Sequence, residues 1–226
     1  MRFEVPGFPE IQEAAMKYGM FGIMMPVLCG KVLIPYAKEK VPGFDKRNVM
    51  AEYKGMIARN PDIGTGKTNP LLAGLYLAAY ILAFHKAYPA QIGGEEIGEM
   101  VDILGESSVM KRLYAGKDFF TEKNIAARAA MAEEPKDLYP ENWKYEFRAD
   151  IKKRECIMNY RACAICNMCR REGCFELLKY MCKIDFVSQE LMGNTLIRTK
   201  TLAEGYEVCD FHIIGRQTEN LGSDSI

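Results

Sequence analysis

A chain of 226 residues can bury a sizeable core in one domain, and 49% hydrophobic with 27% charged residues is an ordinary balance for a globular protein. Lys+Arg and Asp+Glu each number 30, so a formal net charge of zero gives no electrostatic reason to expect nucleic acid as a partner. The basic runs Lys152-Lys-Arg154 and Arg170-Arg171 are short, flanked by acids, and read as solvated faces.

In chain order, a Pro/Gly-rich lead (Val5 to Pro9) precedes a helical pattern over about 9–25. Pro26 and Pro35 are expected to bend or end the segment beyond it. The apolar stretch from Tyr18 to Gly30 is broken by Pro26, and the stretch from Leu71 to Phe84 is short. Neither is expected to supply the roughly 20 apolar residues that cross a bilayer. With no leader pattern at the start, the expected location is cytoplasmic. The Met-rich 20–35 segment is the expected contact surface, for a homo-oligomer or for another docking partner.

Asn48 to Arg59 reads as an amphipathic helix, and the breakers from Asn60 to Pro70 mark a loop. Gly64-Thr-Gly-Lys-Thr68 in that loop lacks the first glycine of a phosphate loop, since Pro61 stands there, and no strand precedes it. Leu71 to His85 is apolar on nearly every face and suits a central helix. Further helices are expected over 95–105, 107–115 and 121–134. Trp143 to Ile151 then alternates large apolar and charged residues, the period of a half-buried strand. Tyr160 to Cys182 reads as helix broken near Gly173. Asn194 to Thr201 and Glu207 to Ile213 alternate again about a turn at Glu204-Gly205. The expected fold is α+β, a helical N-terminal half packed on a C-terminal antiparallel sheet crossed by one or two helices. Residues 1–45 form a helical extension. Residues 46–226 form one domain, with helices over 46–135, the sheet and a Cys-rich helix over 143–214, and a flexible tail over 215–226.

Eight cysteines are many, and six of them (Cys156, Cys163, Cys166, Cys169, Cys174, Cys182) lie within 27 positions. Such clustering favours thiol or metal chemistry over a disulfide framework. Cys163-x2-Cys166-x2-Cys169-x4-Cys174 departs from the bacterial iron–sulfur spacing, and on a regular helix its first three thiols form a slanting stripe. Zinc would need Cys163/Cys166 brought together with Cys169/Cys174. A divalent metal such as zinc or manganese, or an iron–sulfur cluster, stays open as a cofactor beside packed or redox-active free thiols.

The last third holds the densest signal: Cys182-Lys-Ile-Asp185, then Arg198-Thr-Lys-Thr201-Leu-Ala-Glu204-Gly205, then Cys209-Asp210-Phe211. Packing alone would account for two buried cysteines and a turn glycine. It does not account for a carboxylate beside each thiol with an arginine between them, because buried carboxylates want partners. His212, two residues beyond Asp210, falls on the same strand face and is a candidate acid/base partner for it. His85, at the end of an apolar helix, reads as structural.

This ending resembles the L-2-amino-thiazoline-4-carboxylic acid hydrolase family, whose members close with Cys-x-x-Asp, an Arg/Thr/Leu/Gly stretch and Cys-Asp-Phe. The resemblance is dense over 173–213, diffuse over 45–150, and absent before 45. It implies an enzyme that opens a small nitrogen- and sulfur-containing ring by adding water to the carbon between the two heteroatoms and expelling sulfur. A family cysteine ahead of Gly-x-x-Glu-Leu (here Gly173-Cys-Phe-Glu-Leu177) could be Cys156 or Cys163. For that chemistry, Arg198 with Thr201 would hold the substrate, Arg198 by a two-bond fork to its carboxylate. Asp185 or Asp210 would hold the amidine nitrogens or move a proton. Cys182 or Cys209 could attack directly, if a nearby positive charge lowers its pKa, with water as the other nucleophile. Two other classes fit the same scaffold: a Cys-rich metal or iron–sulfur redox protein, and a small-ligand sensor without catalysis.

Overall fold

The computed structural model describes residues 15–216 apart from Lys136. The expected Pro/Gly lead, the start of the first helical pattern and the tail beyond residue 216 lie outside the described residues. The first helix, α1 (Met20–Lys40), starts later than expected and runs unbroken through Pro26 and Pro35. Each proline removes one helical hydrogen bond, a cost of about 3 kcal/mol in an ordinary helix interior. Burial offsets it. Met25, Cys29, Leu33, Tyr36 and Ala37 recur at helical spacing and disappear into the core, at about 1.5–3 kcal/mol for each large side chain.

The unbroken helix also corrects the expectation that this stretch is too short for a membrane. At 21 residues and a mean hydropathy of 1.6 it is long and apolar enough to cross one, by length and composition. Some 39% of its most apolar window is buried in the protein. Met20, Ile23 and Val27 remain exposed on its other side.

Two helices build the layer beside it. α2 (Lys46–Arg59) is capped by Asp45, whose carboxylate accepts the Arg47 N–H at 2.8 Å. α3 (Leu72–Ala87) is buried from Ala78 to Phe84 without a break, because α1, α2 and a helix from later in the chain pack around it. At its end His85 Nδ1 donates to the Ile92 carbonyl at 2.7 Å, a structural role. α4 (Gly94–Glu106) starts where Glu95 and Glu96 meet the positive end of the helix dipole, and Glu96 also accepts the Gly93 N–H at 2.9 Å. α5 (Ser108–Tyr114) and α6 (Glu122–Ala132) come next, capped by the Ser107 and Thr121 hydroxyls.

The sheet has four antiparallel strands in the order β1-β2-β4-β3. They are β1 (Lys144–Asp150), β2 (Glu155–Ala162), β3 (Asn194–Ile197) and β4 (Cys209–Gly215). β2 replaces the start of the helix expected from Tyr160. Cys156, Met158 and Tyr160 point inward while Glu155, Ile157 and Arg161 point out. β3 stops at Ile197, short of the strand expected to Thr201, and Gly215 belongs to β4 instead of a tail. Between β2 and β3 lie α7 (Ala164–Arg171), α8 (Leu178–Met181) and α9 (Ile184–Leu191). The last was not expected.

Two glycines of α4 position these short helices. A Cβ at Gly94 would collide with the Tyr180 ring, and one at Gly105 would sit 2.6 Å from Val187 Cγ1. Their lack of a side chain lets α8 and α9 lie close on α4, with Lys183 at the joint bonded to Asp102 at 2.7 Å.

Candidate functional site

The joint between α8 and α9 carries the first half of the site. Cys182 closes α8, Lys183 begins α9, and Asp185 occupies the first turn of α9. The Cys-x-x-Asp spacing therefore sets thiol and carboxylate beside each other at a helix joint. Arg198, just past the end of β3, brings the second half. Its Nη1 donates to Asp185 Oδ2 at 2.6 Å and its Nη2 to the Cys182 carbonyl at 3.1 Å. The guanidinium lies 4.7 Å from the Phe186 ring centre and 5.1 Å from that of Phe211, and its side chain is only 6% exposed.

Asp185 keeps 37% of its side-chain surface open, yet the protein around it is dense enough to raise its pKa. Burial is the larger influence, and the charge and hydrogen bond of Arg198 oppose it.

Asp185 is near enough to three thiols, Cys163, Cys182 and Cys209, for its charge to raise their pKa. All eight cysteines are free, and Cys163 and Cys182 alone are not fully buried. Burial raises the Cys182 pKa, Asp185 adds to the rise, and Arg198 opposes it. Burial likewise pushes Cys209 up to about 11, although its sulfur accepts the Leu202 N–H at 3.2 Å.

Cys163 behaves in the opposite way. It leaves β2 and stands at the N-cap of α7. The neighbouring Cys166 thiol lowers its pKa. Burial opposes this, and the N–H groups of Cys166 and Ile165 at the open helix end assist it. Those N–H groups favour the thiolate without forming a full cap hydrogen bond. Cys156, the other candidate for the family position, is buried within β2 and its pKa is pushed up to about 12. Of the two candidates for the family position, Cys163 is thus the one whose surroundings favour the thiolate.

The remaining expected residues shape the site from behind. Asp210 accepts Thr199 N–H at 2.9 Å, Thr199 Oγ1 at 2.6 Å and Lys200 N–H at 2.5 Å. Desolvation opposes those bonds, but together they hold its pKa below the usual carboxylate value. Thr201 donates to Glu204 Oε2 at 2.7 Å and accepts the Glu204 N–H, capping the 3-10 turn Leu202–Glu204, which ends on Gly205 at φ +89°. Asp210 and Thr201 therefore fold the loop that presents Arg198.

His212 does share a strand face with Asp210, but its partner is Glu155 on β2, with Nε2 2.7 Å from Oε1. That face is the outer one. The side chains of Cys209 and Phe211 go to the helix-covered side, and those of Asp210 and His212 to the opposite side, because alternation separates them.

The four thiols Cys163, Cys166, Cys169 and Cys174 do not converge as a metal site. Their mutual influence falls into two pairs of free thiols, Cys163/Cys166 at the start of the helix and Cys169/Cys174 at its end. Among the described residues no group of three or more His, Cys, Asp or Glu is arranged to hold a metal ion.

Two surface depressions, of about 210 and 190 Å³, lie elsewhere, one beside Arg59 and Arg171 and one between Leu28 and Leu113. The arginines of the first are already bonded to Glu172, Asn60 and Glu141. Neither depression includes a cysteine or a carboxylate.

In comparisons with known proteins, the family model described as L-2-amino-thiazoline-4-carboxylic acid hydrolase matches residues 71–213, from the start of α3 into β4. No curated protein and no solved structure matches.

Proposed function

The chain belongs to the L-2-amino-thiazoline-4-carboxylic acid hydrolase family, and on that premise we propose that it opens a 2-amino-thiazoline-4-carboxylate ring by C–S cleavage, with Cys163 as nucleophile. The observation that carries this reading is that the two cysteines not fully buried, Cys163 and Cys182, both feel the charge of Asp185, the partner of Arg198. Of these, the thiol at a helix N-terminus is the one poised to ionise.

The electrons balance in two steps. The Cys163 thiolate adds to the carbon between nitrogen and sulfur, the ring C–S bond breaks, and the ring sulfur leaves as a thiol on taking a proton. The enzyme is left bonded through Cys163 to an isothiourea. Water then adds to the same carbon, gives up its proton, and expels the Cys163 thiolate, releasing an N-carbamoyl amino acid that bears a free thiol. Asp185 is the group to carry the proton in both directions, since its raised pKa brings its two protonation states closer in energy near neutral pH. Arg198 holds Asp185 in place and limits that rise.

The test is chromatographic detection of the carbamoyl-thiol product from the thiazoline carboxylate with the full chain. Cys163→Ala is expected to lower kcat by at least about 10³-fold while leaving the fold intact by circular dichroism. Wild-type turnover in that variant would remove Cys163 as nucleophile, and no product from the wild type would remove the reading itself.

A further inference from the structure

Cys166 has no part in ring opening beyond its effect on Cys163, yet its position makes a second chemistry available. The two residues are three apart across the first turn of α7, which places their Cα atoms about 5 Å apart, within the roughly 4.4–6.8 Å that a disulfide spans. Each thiol's ionisation depends on the other, as expected of two sulfurs held close together. One is partly exposed and the other fully buried, the arrangement of an attacking and a resolving thiol. Cys182, by contrast, meets Cys163 only through space.

We propose that Cys163 and Cys166 form a reversible dithiol–disulfide site that reacts with small hydroperoxides. The Cys163 thiolate attacks the peroxide O–O bond, becoming a sulfenic acid while the leaving oxygen takes a proton and departs as water or alcohol. The Cys166 thiol then attacks the Cys163 sulfur, the S–S bond forms, and the sulfenic oxygen leaves as water. Two thiols lose two hydrogens and two electrons, and the peroxide gains them. An external dithiol reverses the bond by exchange. The disulfide itself does not depend on the ring-opening proposal. Its effect on that reaction rests on Cys163 being the nucleophile.

The test treats the full reduced chain with an equivalent of hydrogen peroxide, alkylates the remaining thiols after unfolding, and maps tryptic peptides by mass spectrometry. Cleavage at Arg161 and Arg170 leaves Cys163, Cys166 and Cys169 in one peptide. The expected product has lost two hydrogens between Cys163 and Cys166, carries the alkyl group on Cys169, and reverts with dithiothreitol. Cys174→Ser should leave that link intact, and Cys166→Ser should abolish it. A link from Cys163 to Cys182, a link between Cys166 and Cys169, or stepwise over-oxidation of Cys163 with no link would overturn the proposal. Oxidised wild type should lose ring opening at least tenfold and regain it with dithiothreitol. If the link forms but neither state opens the ring, the hydrolase reading fails while the dithiol site stands. If the ring opens but no link forms, only the dithiol site fails.

Discussion

Arg198 was expected to clamp a substrate carboxylate, and two of its five donors are already used on Asp185 and the Cys182 carbonyl. Its effect on Asp185 gives a prediction with a definite sign. Burial raises the Asp185 pKa and the guanidinium charge pulls it back down. Arg198→Met removes the restraint, so the acidic limb of the kcat profile should move to higher pH, with kcat falling more than KM rises. An unmoved limb with a large rise in KM alone would return Arg198 to the role of substrate anchor. At this scale the sequence signal was good for residue types and poor for roles. The Cys-x-x-Asp and Arg positions were legible because a helix joint and a strand end set their spacing. The lowered pKa of Cys163 was not, since it depends on which thiol stands at a helix end and which thiol neighbours it.

Between elements, the decisive contacts are those that bring α9 to the sheet and to α4. Alanine usually favours a helix over glycine by up to about 1 kcal/mol, so propensity alone says Gly105→Ala should stabilise α4. The close approach of Val187 says the opposite. We predict that Gly105→Ala lowers stability by about 1–2 kcal/mol through overpacking, read as a lower urea midpoint, with ring opening impaired as Asp185 shifts on α9. A rise in the midpoint would show that α9 accommodates the methyl group without cost. β2 escaped sequence reading for a related reason. Its inward residues are Cys156, Met158, Tyr160 and Ala162, and its outer face carries Ile157. Hydrophobicity therefore does not alternate cleanly, and Met and Ala favour helix when context is ignored. Pro26 and Pro35 misled for the converse reason, as burial along α1 outweighed two local penalties.

Over the whole molecule, Glu172 fastens the helical half to the Cys-bearing helix. It caps the C-terminal end of α7 with a side chain only 3% exposed. It accepts both Arg59 donors, at 2.9 and 2.8 Å, and its carbonyl accepts Lys86 Nζ at 3.0 Å. Desolvation opposes ionisation, but Arg59 and Lys86 more than compensate and its pKa falls below 4.5. A lowered carboxylate pKa means stability that is fully present above pH 4.5 and lost as pH falls through the folded-state value. Since Arg59 and Lys86 keep partial contact with water, Glu172→Gln should cost about 2 kcal/mol at about pH 7, between the values for surface and buried pairs. The cost should shrink towards about pH 3 as the carboxylate takes up its proton. Urea titrations at the two pH values read this directly, and a cost independent of pH would assign the loss to packing instead of charge.

The sequence by itself determined the α+β class, the helices from α2 to α6 and the first and last strands, which derive from local periodicity and capping, and its closing motifs carried the resemblance to the family that residues 71–213 match. Only the tertiary structure decided which of those residues meet. Strand alternation sends Asp210 and His212 away from Cys209, α7 splits four thiols into two pairs, and glycines on α4 bring α9 within reach of Arg198. Those outcomes depend on solvation and on contacts between segments distant in the chain, which no local pattern records.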